Sequence, residues 1–157
     1  MYGVCLRFSA SKQDAQDVLQ EGFVRVFADI CKYRGEGSLE GWIRKIMVRT
    51  ALQNLQKRQA EPKLIDLDAL ENLLADPQFL EIEDPAEDPF SSGKMVALLQ
   101  KLPPGFRAVL NLYVLENQSH EQIARELNIS VGTSKSQLNR AKAFFKKFLD
   151  KSMLLIL

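Results

Sequence analysis

Four prolines, Pro62, Pro77, Pro85 and Pro89, fall within residues 60–93, together with ten carboxylates and a single lysine. Each proline removes a backbone donor and blocks a helix that would pass through it. A run of like charges interrupted by prolines disfavours one continuous helical domain. The chain is therefore expected to be all-α, with two small helical domains at residues 1–59 and 94–157. A flexible acidic linker, residues 60–93, joins them and holds at most one short helix near residues 67–74. Cores of that size are thin, so stability is modest or completed by a partner.

Charge follows the same division. Residues 1–59 carry ten Lys/Arg against six Asp/Glu, giving +4. The linker carries one lysine against ten acids, giving −9, and residues 94–157 carry ten Lys/Arg against four acids, giving +6. The sum is the formal net charge of +1. Two basic blocks around an acidic one suit a polyanionic partner, although solvated helix surfaces produce the same count.

Within the blocks the apolar period is helical. Ala15, Val18, Leu19, Phe23, Val26, Phe27 and Ile30 recur at three-four spacing and predict one buried face of a helix over residues 14–30. Ser11 stands three residues before Asp14, an N-cap pattern. After the turn-rich Arg34-Gly35-Glu36-Gly37-Ser38, a second helix is expected over residues 39–59. Its apolar side holds Ile43, Ile46, Met47, Ala51 and Leu55, and its opposite side holds Lys45, Arg49, Gln53 and Gln56. Helices resume at Lys94, stop at Pro103-Pro104, and restart with Pro104 in the first turn. Ser119 with Gln122 forms a capping box, Asn128 suits a left-handed turn, and Ser130 caps a last helix bearing Val131, Leu138, Ala141, Phe145 and Phe148.

Residues 119–142 thus read as a helix-turn-helix: a short helix, a three-residue turn and a longer helix able to enter a major groove. Thr133, Lys135, Ser136, Asn139 and Arg140 face outward near the start of the longer helix. Asparagine can pair with adenine through two bonds, while lysine and arginine reach guanine or phosphate.

The run from Leu102-Pro103-Pro104-Gly105-Phe106-Arg107 through Ala141 closely resembles region 4 of the extracytoplasmic-function (ECF) sigma factors. That resemblance implies minus-35 promoter recognition by Thr133, Lys135, Ser136, Asn139 and Arg140. Residues 14–23, Asp-Ala-Gln-Asp-Val-Leu-Gln-Glu-Gly-Phe, resemble region 2.2, implying that Asp14, Asp17, Gln20 and Glu21 dock on the clamp of the polymerase β′ subunit. Residues 33–38 and 42–46 resemble regions 2.3 and 2.4, which melt and read the minus-10 element. Ser38 and Leu39 would line a pocket for an unstacked base, with Arg49 and Gln53 beside it and Lys45, Lys57 and Arg58 on phosphates. The implied partners are core RNA polymerase, promoter DNA and an anti-sigma factor. No cofactor, metal or small-molecule substrate is implied. The acidic linker would mimic nucleic acid in a polymerase channel or serve as a solvated spacer.

The sequence departs from the family in three places. It begins at a segment that another helix precedes in the family, as a miscalled start or a truncated fragment would, Ser134 stands on the buried side where an apolar residue is usual, and Arg49 stands where asparagine is frequent. Several residues take plain structural readings. Phe23, Phe27, Trp42, Phe144 and Phe145 are expected to pack in the core, His120 to be exposed without partners, Asp17 and Glu21 to be solvated, and residues 153–157 to end a helix against their domain. Cys5 and Cys31 form no paired motif, and no leader or apolar run near the ~18–20 residues of a membrane span is seen, which together imply reduced thiols in the cytoplasm. No nucleophile–base pair, paired acids or phosphate loop points to an enzyme. A stand-alone helix-turn-helix regulator would leave residues 14–58 unexplained, and a remnant that only binds partners is the other alternative.

Overall fold

Ser11 and Pro104, a cap and a proline at the position where each is tolerated, open the second and fifth helices of a computed structural model that describes residues 1–58 and 92–154. The chain divides into two compact units, Met1–Pro62 and Lys63–Leu157. Among the described residues every regular element is a helix.

In the first unit, α1 (Tyr2–Phe8), α2 (Lys12–Asp29) and α3 (Leu39–Arg58) pack pairwise against one another. The short α1 was not expected from the sequence, yet Val4, Cys5 and Phe8 are buried at helical spacing. The Ser11 hydroxyl accepts from the Asp14 backbone N–H at 3.1 Å, so the cap is as expected. Ala15, Val18, Gly22 and Val26 form the buried side of α2. Met47, Val48, Ala51 and Leu52 answer from α3. Gly22 leaves room for Met47, because a Cβ there would meet the Met47 sulfur and force that buried side chain to shift. Burial raises the pKa of the Cys5 thiol and keeps it protonated, whereas Cys31 is exposed.

Two residues of α2 that were expected in the core lie outside it. Phe23 and Phe27 are not core: they are 36% and 74% exposed, and Val24 and Ile30 are exposed beside them. The apolar face of α2 is wider than the surface its neighbours cover. Phe27 lies about 100 degrees round the helix from Val26 and falls off the covered side. The helix also ends at Asp29, and a single 3₁₀ turn (Ile30–Lys32) leads into the loop.

The second unit contains α4 (Ser92–Lys101), α5 (Pro104–Val114), α6 (His120–Leu127) and α7 (Val131–Leu154). Helix α4 starts at Ser92, two residues inside the stretch expected to be linker; the rest of that stretch, with its proposed short helix, lies outside the described residues. Leu98, Leu99, Leu102, Phe106, Ala141 and Phe144 make a continuous core flanked by Met95, Leu110 and Phe145. Helices α5 and α6 both lie on α7. The side chains of Arg58 and Phe148, and residues 155–157, also lie outside the description.

Candidate nucleic-acid interface

The second unit builds its surface from two capped turns. The Ser119 hydroxyl accepts from Gln122 N–H at 3.3 Å, and the Gln122 side chain accepts from Ser119 N–H at 2.8 Å. This is the reciprocal box expected from the sequence. Asn128 closes α6 at φ 54°, ψ 48°, the left-handed conformation that a β-branched residue would resist. The Ser130 hydroxyl accepts from Thr133 N–H at 2.9 Å and starts α7. The reversal is thus fixed before the longer helix begins.

On α7 the inward residues are Ser134, Gln137, Leu138, Ala141 and Phe144. Lys135, Ser136 and Asn139 lie together on the exposed side. Thr133 and Arg140 are half-buried at its margin, and the Thr133 hydroxyl pairs with the Ser130 hydroxyl at 2.8 Å. Three of the five expected groups therefore share one open surface. Lys142 and Lys146 continue it along the helix, an extension of about two turns that the spacing Asn139–Lys142–Lys146 could have revealed.

His120 overturns its sequence reading, and Ser134, on the inward side of α7, has no exposed surface at all. The Nδ1 of His120 lies 2.9 Å from its hydroxyl, and the imidazole stacks on Tyr113 with ring centroids 4.7 Å apart. A buried hydroxyl needs such a partner. His120 is half-buried and ties α6 to both α5 and α7, and Lys142 Nζ sits 5.6 Å from the same Tyr113 ring. The Glu121 carboxyl, with the Ser119 side chain as its chief hydrogen-bond partner, is held below its ordinary pKa.

In the first unit the loop before α3 is shaped from within. Gly35 and Gly37 have φ of 74° and 86°, values open to glycine. The Tyr33 hydroxyl donates to the Gly37 carbonyl at 2.7 Å, and the Tyr33 and Trp42 rings meet at 5.6 Å. Trp42 is half-buried, not a core residue. The Ser38 hydroxyl accepts from Gly41 N–H at 3.0 Å and so serves as a helix cap, while Leu39 is 44% exposed at the loop edge. Lys45 and Arg49 are exposed one turn apart on α3.

Gln53 and Lys57 continue that side of α3 but are not free. The Gln53 side-chain oxygen accepts from Arg25 Nη1. Arg25 Nη2 also donates to Glu21, and Asn54 Nδ2 donates to the other Glu21 oxygen at 2.7 Å. Lys57 Nζ lies 3.9 Å from Glu21. Glu21 is thus half-buried in a seam between α2 and α3, contrary to the expectation that it is solvated. The amide of Asn54 is the main influence that lowers its carboxyl pKa, helped by Arg25 and Lys57. Asp17 and Gln20 are exposed on α2, and Asp14 is half-buried at its start.

No cluster of three His, Cys, Asp or Glu side chains occurs among the described residues, and no described helix is long and apolar enough to cross a membrane. Comparison with known proteins places both units of the chain in a family. Residues 1–61 match the family described as Sigma-70 region 2, and residues 92–145 match Sigma-70, region 4. The chain is 31% identical to the ECF RNA polymerase sigma factor SigE of Mycolicibacterium smegmatis over 96% of its own length, and covers 58% of that protein. It is 30% identical to the RNA polymerase sigma-H factor of Pseudomonas aeruginosa over 94% of its length, covering 79% of that protein. Among solved structures it resembles the sigma factor RpoE of Bartonella quintana, seen in complex with the anti-sigma factor NepR. The TM-score is 0.55 at 19% identity, over 95% of this chain and 89% of that one, a likeness of fold. With both regions matched in order, and with the ECF RNA polymerase sigma-E factor of Escherichia coli 30% identical and covered over 70% of its length, the chain belongs to the ECF sigma factors of the sigma-70 family.

Proposed function

We propose that this chain is a promoter-specificity subunit: it binds core RNA polymerase and directs it to promoter DNA for transcription initiation. One observation carries the reading, namely that region 2 and region 4 occur in one chain and each presents an exposed basic surface on its own rigid helices. Lys135, Ser136 and Asn139 of α7 read the minus-35 element, with Thr133 and Arg140 at the edge. Ser38 and Leu39 border the site of an extruded minus-10 base, Arg49 and Gln53 stand next to it, and Lys45, Lys57 and Arg58 meet phosphates. Asp14, Asp17, Gln20 and Glu21 approach the β′ clamp. The chain's residues carry no catalytic step; the polymerase supplies the chemistry. A cytoplasmic setting follows from this role, as does control by an anti-sigma factor, the kind of partner seen with the Bartonella relative.

The test is reconstitution. The purified chain should bind core enzyme and support runoff transcription from a subset of a promoter library, with little duplex binding when the polymerase is omitted. Tight sequence-specific duplex binding without polymerase, coupled with no affinity for core, would overturn the proposal.

A further inference from the structure

The seam between α2 and α3 fixes something that a glutamine alone leaves open. A free glutamine amide can turn either its carbonyl or its NH₂ toward a ligand, and so accepts or donates as needed. Arginine has only donors. Because Arg25 Nη1 donates to the Gln53 side-chain oxygen, the carbonyl end of Gln53 is committed to the protein. Its Nε2 is then the end left for a ligand. Arg25 is held in its turn, since Nη2 donates to Glu21, and Glu21 is anchored across the seam by Asn54. Glu21, Arg25 and Gln53 therefore form a directed chain, from an acid through a pure donor to an amide of defined polarity. Gln53 is half-buried on the α3 side shared with the exposed Arg49.

From this geometry we infer that Arg25 is a positioning residue that sets base specificity, by orienting Gln53 as a hydrogen-bond donor. The inference rests on the proposed role of α3 in reading the minus-10 element. A donor-only amide favours an unpaired base edge that offers a carbonyl or ring nitrogen. It rejects an edge that offers an exocyclic amine. Removing Arg25 frees the amide to flip and to accept both kinds of edge. The expected loss is one of discrimination, not of affinity.

The experiment uses the full chain with core polymerase and a promoter library randomised across the melted element. Gln53→Ala identifies the base position at which preference depends on Gln53. At that position Arg25→Met should lower the preference roughly tenfold, the size of one good base contact. Preferences at other positions should stay near wild type, while loss of the Arg25–Glu21 pair lowers the unfolding midpoint modestly and acts on all promoters alike. Arg25→Lys, which retains a donor, should restore most of the preference. The inference fails if Arg25→Met keeps the wild-type profile at the Gln53 position, if it depresses every position equally, or if Gln53→Ala alters no position. A wild-type chain that neither binds core nor selects promoters would instead bring down the functional reading beneath it.

Discussion

A serine hydroxyl with no solvent exposure is stable only when something hydrogen-bonds to it, and for Ser134 that partner is His120. Ser134→Ala should cost about 1 kcal/mol in urea unfolding, the usual net worth of one hydrogen bond. The cost stays modest because the half-buried imidazole can turn to water. The inward place of Ser134 was legible from helical spacing. Its partner was not, because it stands fourteen residues away on another helix. Glu21 shows the same limit: its position on α2 was plain, but the Asn54 and Lys57 that meet it come from α3. Its carboxyl is lowered in the folded chain, so its stabilising contribution is complete above the ordinary glutamate range and disappears as pH falls through the lowered value. Glu21→Gln should therefore flatten the acid limb of a stability–pH profile measured by denaturant unfolding. On the outer side of α7, Asn139→Ala should weaken minus-35 recognition by roughly 1–3 kcal/mol if it contacts a base, as read by promoter competition.

At the level of helices, turn chemistry was the most legible part of the sequence. Ser119 with Gln122, Asn128 and Ser130 each act locally, within four residues, so no knowledge of the fold was needed to place them. Asn128→Val should destabilise the second unit by roughly 1–2 kcal/mol, because a branched side chain resists the left-handed turn; thermal unfolding would measure it. Helix breadth was less legible. The pattern on α2 gave the right period but could not say how much of a wide apolar face its neighbours would cover, and Phe23 and Phe27 fell outside. Gly22 shows the reverse case. Nothing in the helical spacing singles it out, yet it leaves room for Met47. Gly22→Ala gains helix propensity but crowds the interior, and should come out destabilising by about 1 kcal/mol in the same assay.

For the whole molecule, two basic units flank an acidic segment, and the charge pattern was readable at once. Affinity of the polymerase-bound chain for promoter DNA should fall steeply as salt rises from about 50 to 200 mM, because phosphate contacts release counterions. The sole tryptophan of the chain is Trp42, packed against Tyr33 beside the loop assigned to the melted base. Region 4 holds none, so its movements are silent at tryptophan wavelengths. On the role proposed for that loop, the one tryptophan of this chain stands beside the separating strands, and its surroundings should change on promoter opening while the minus-35 end adds no tryptophan signal.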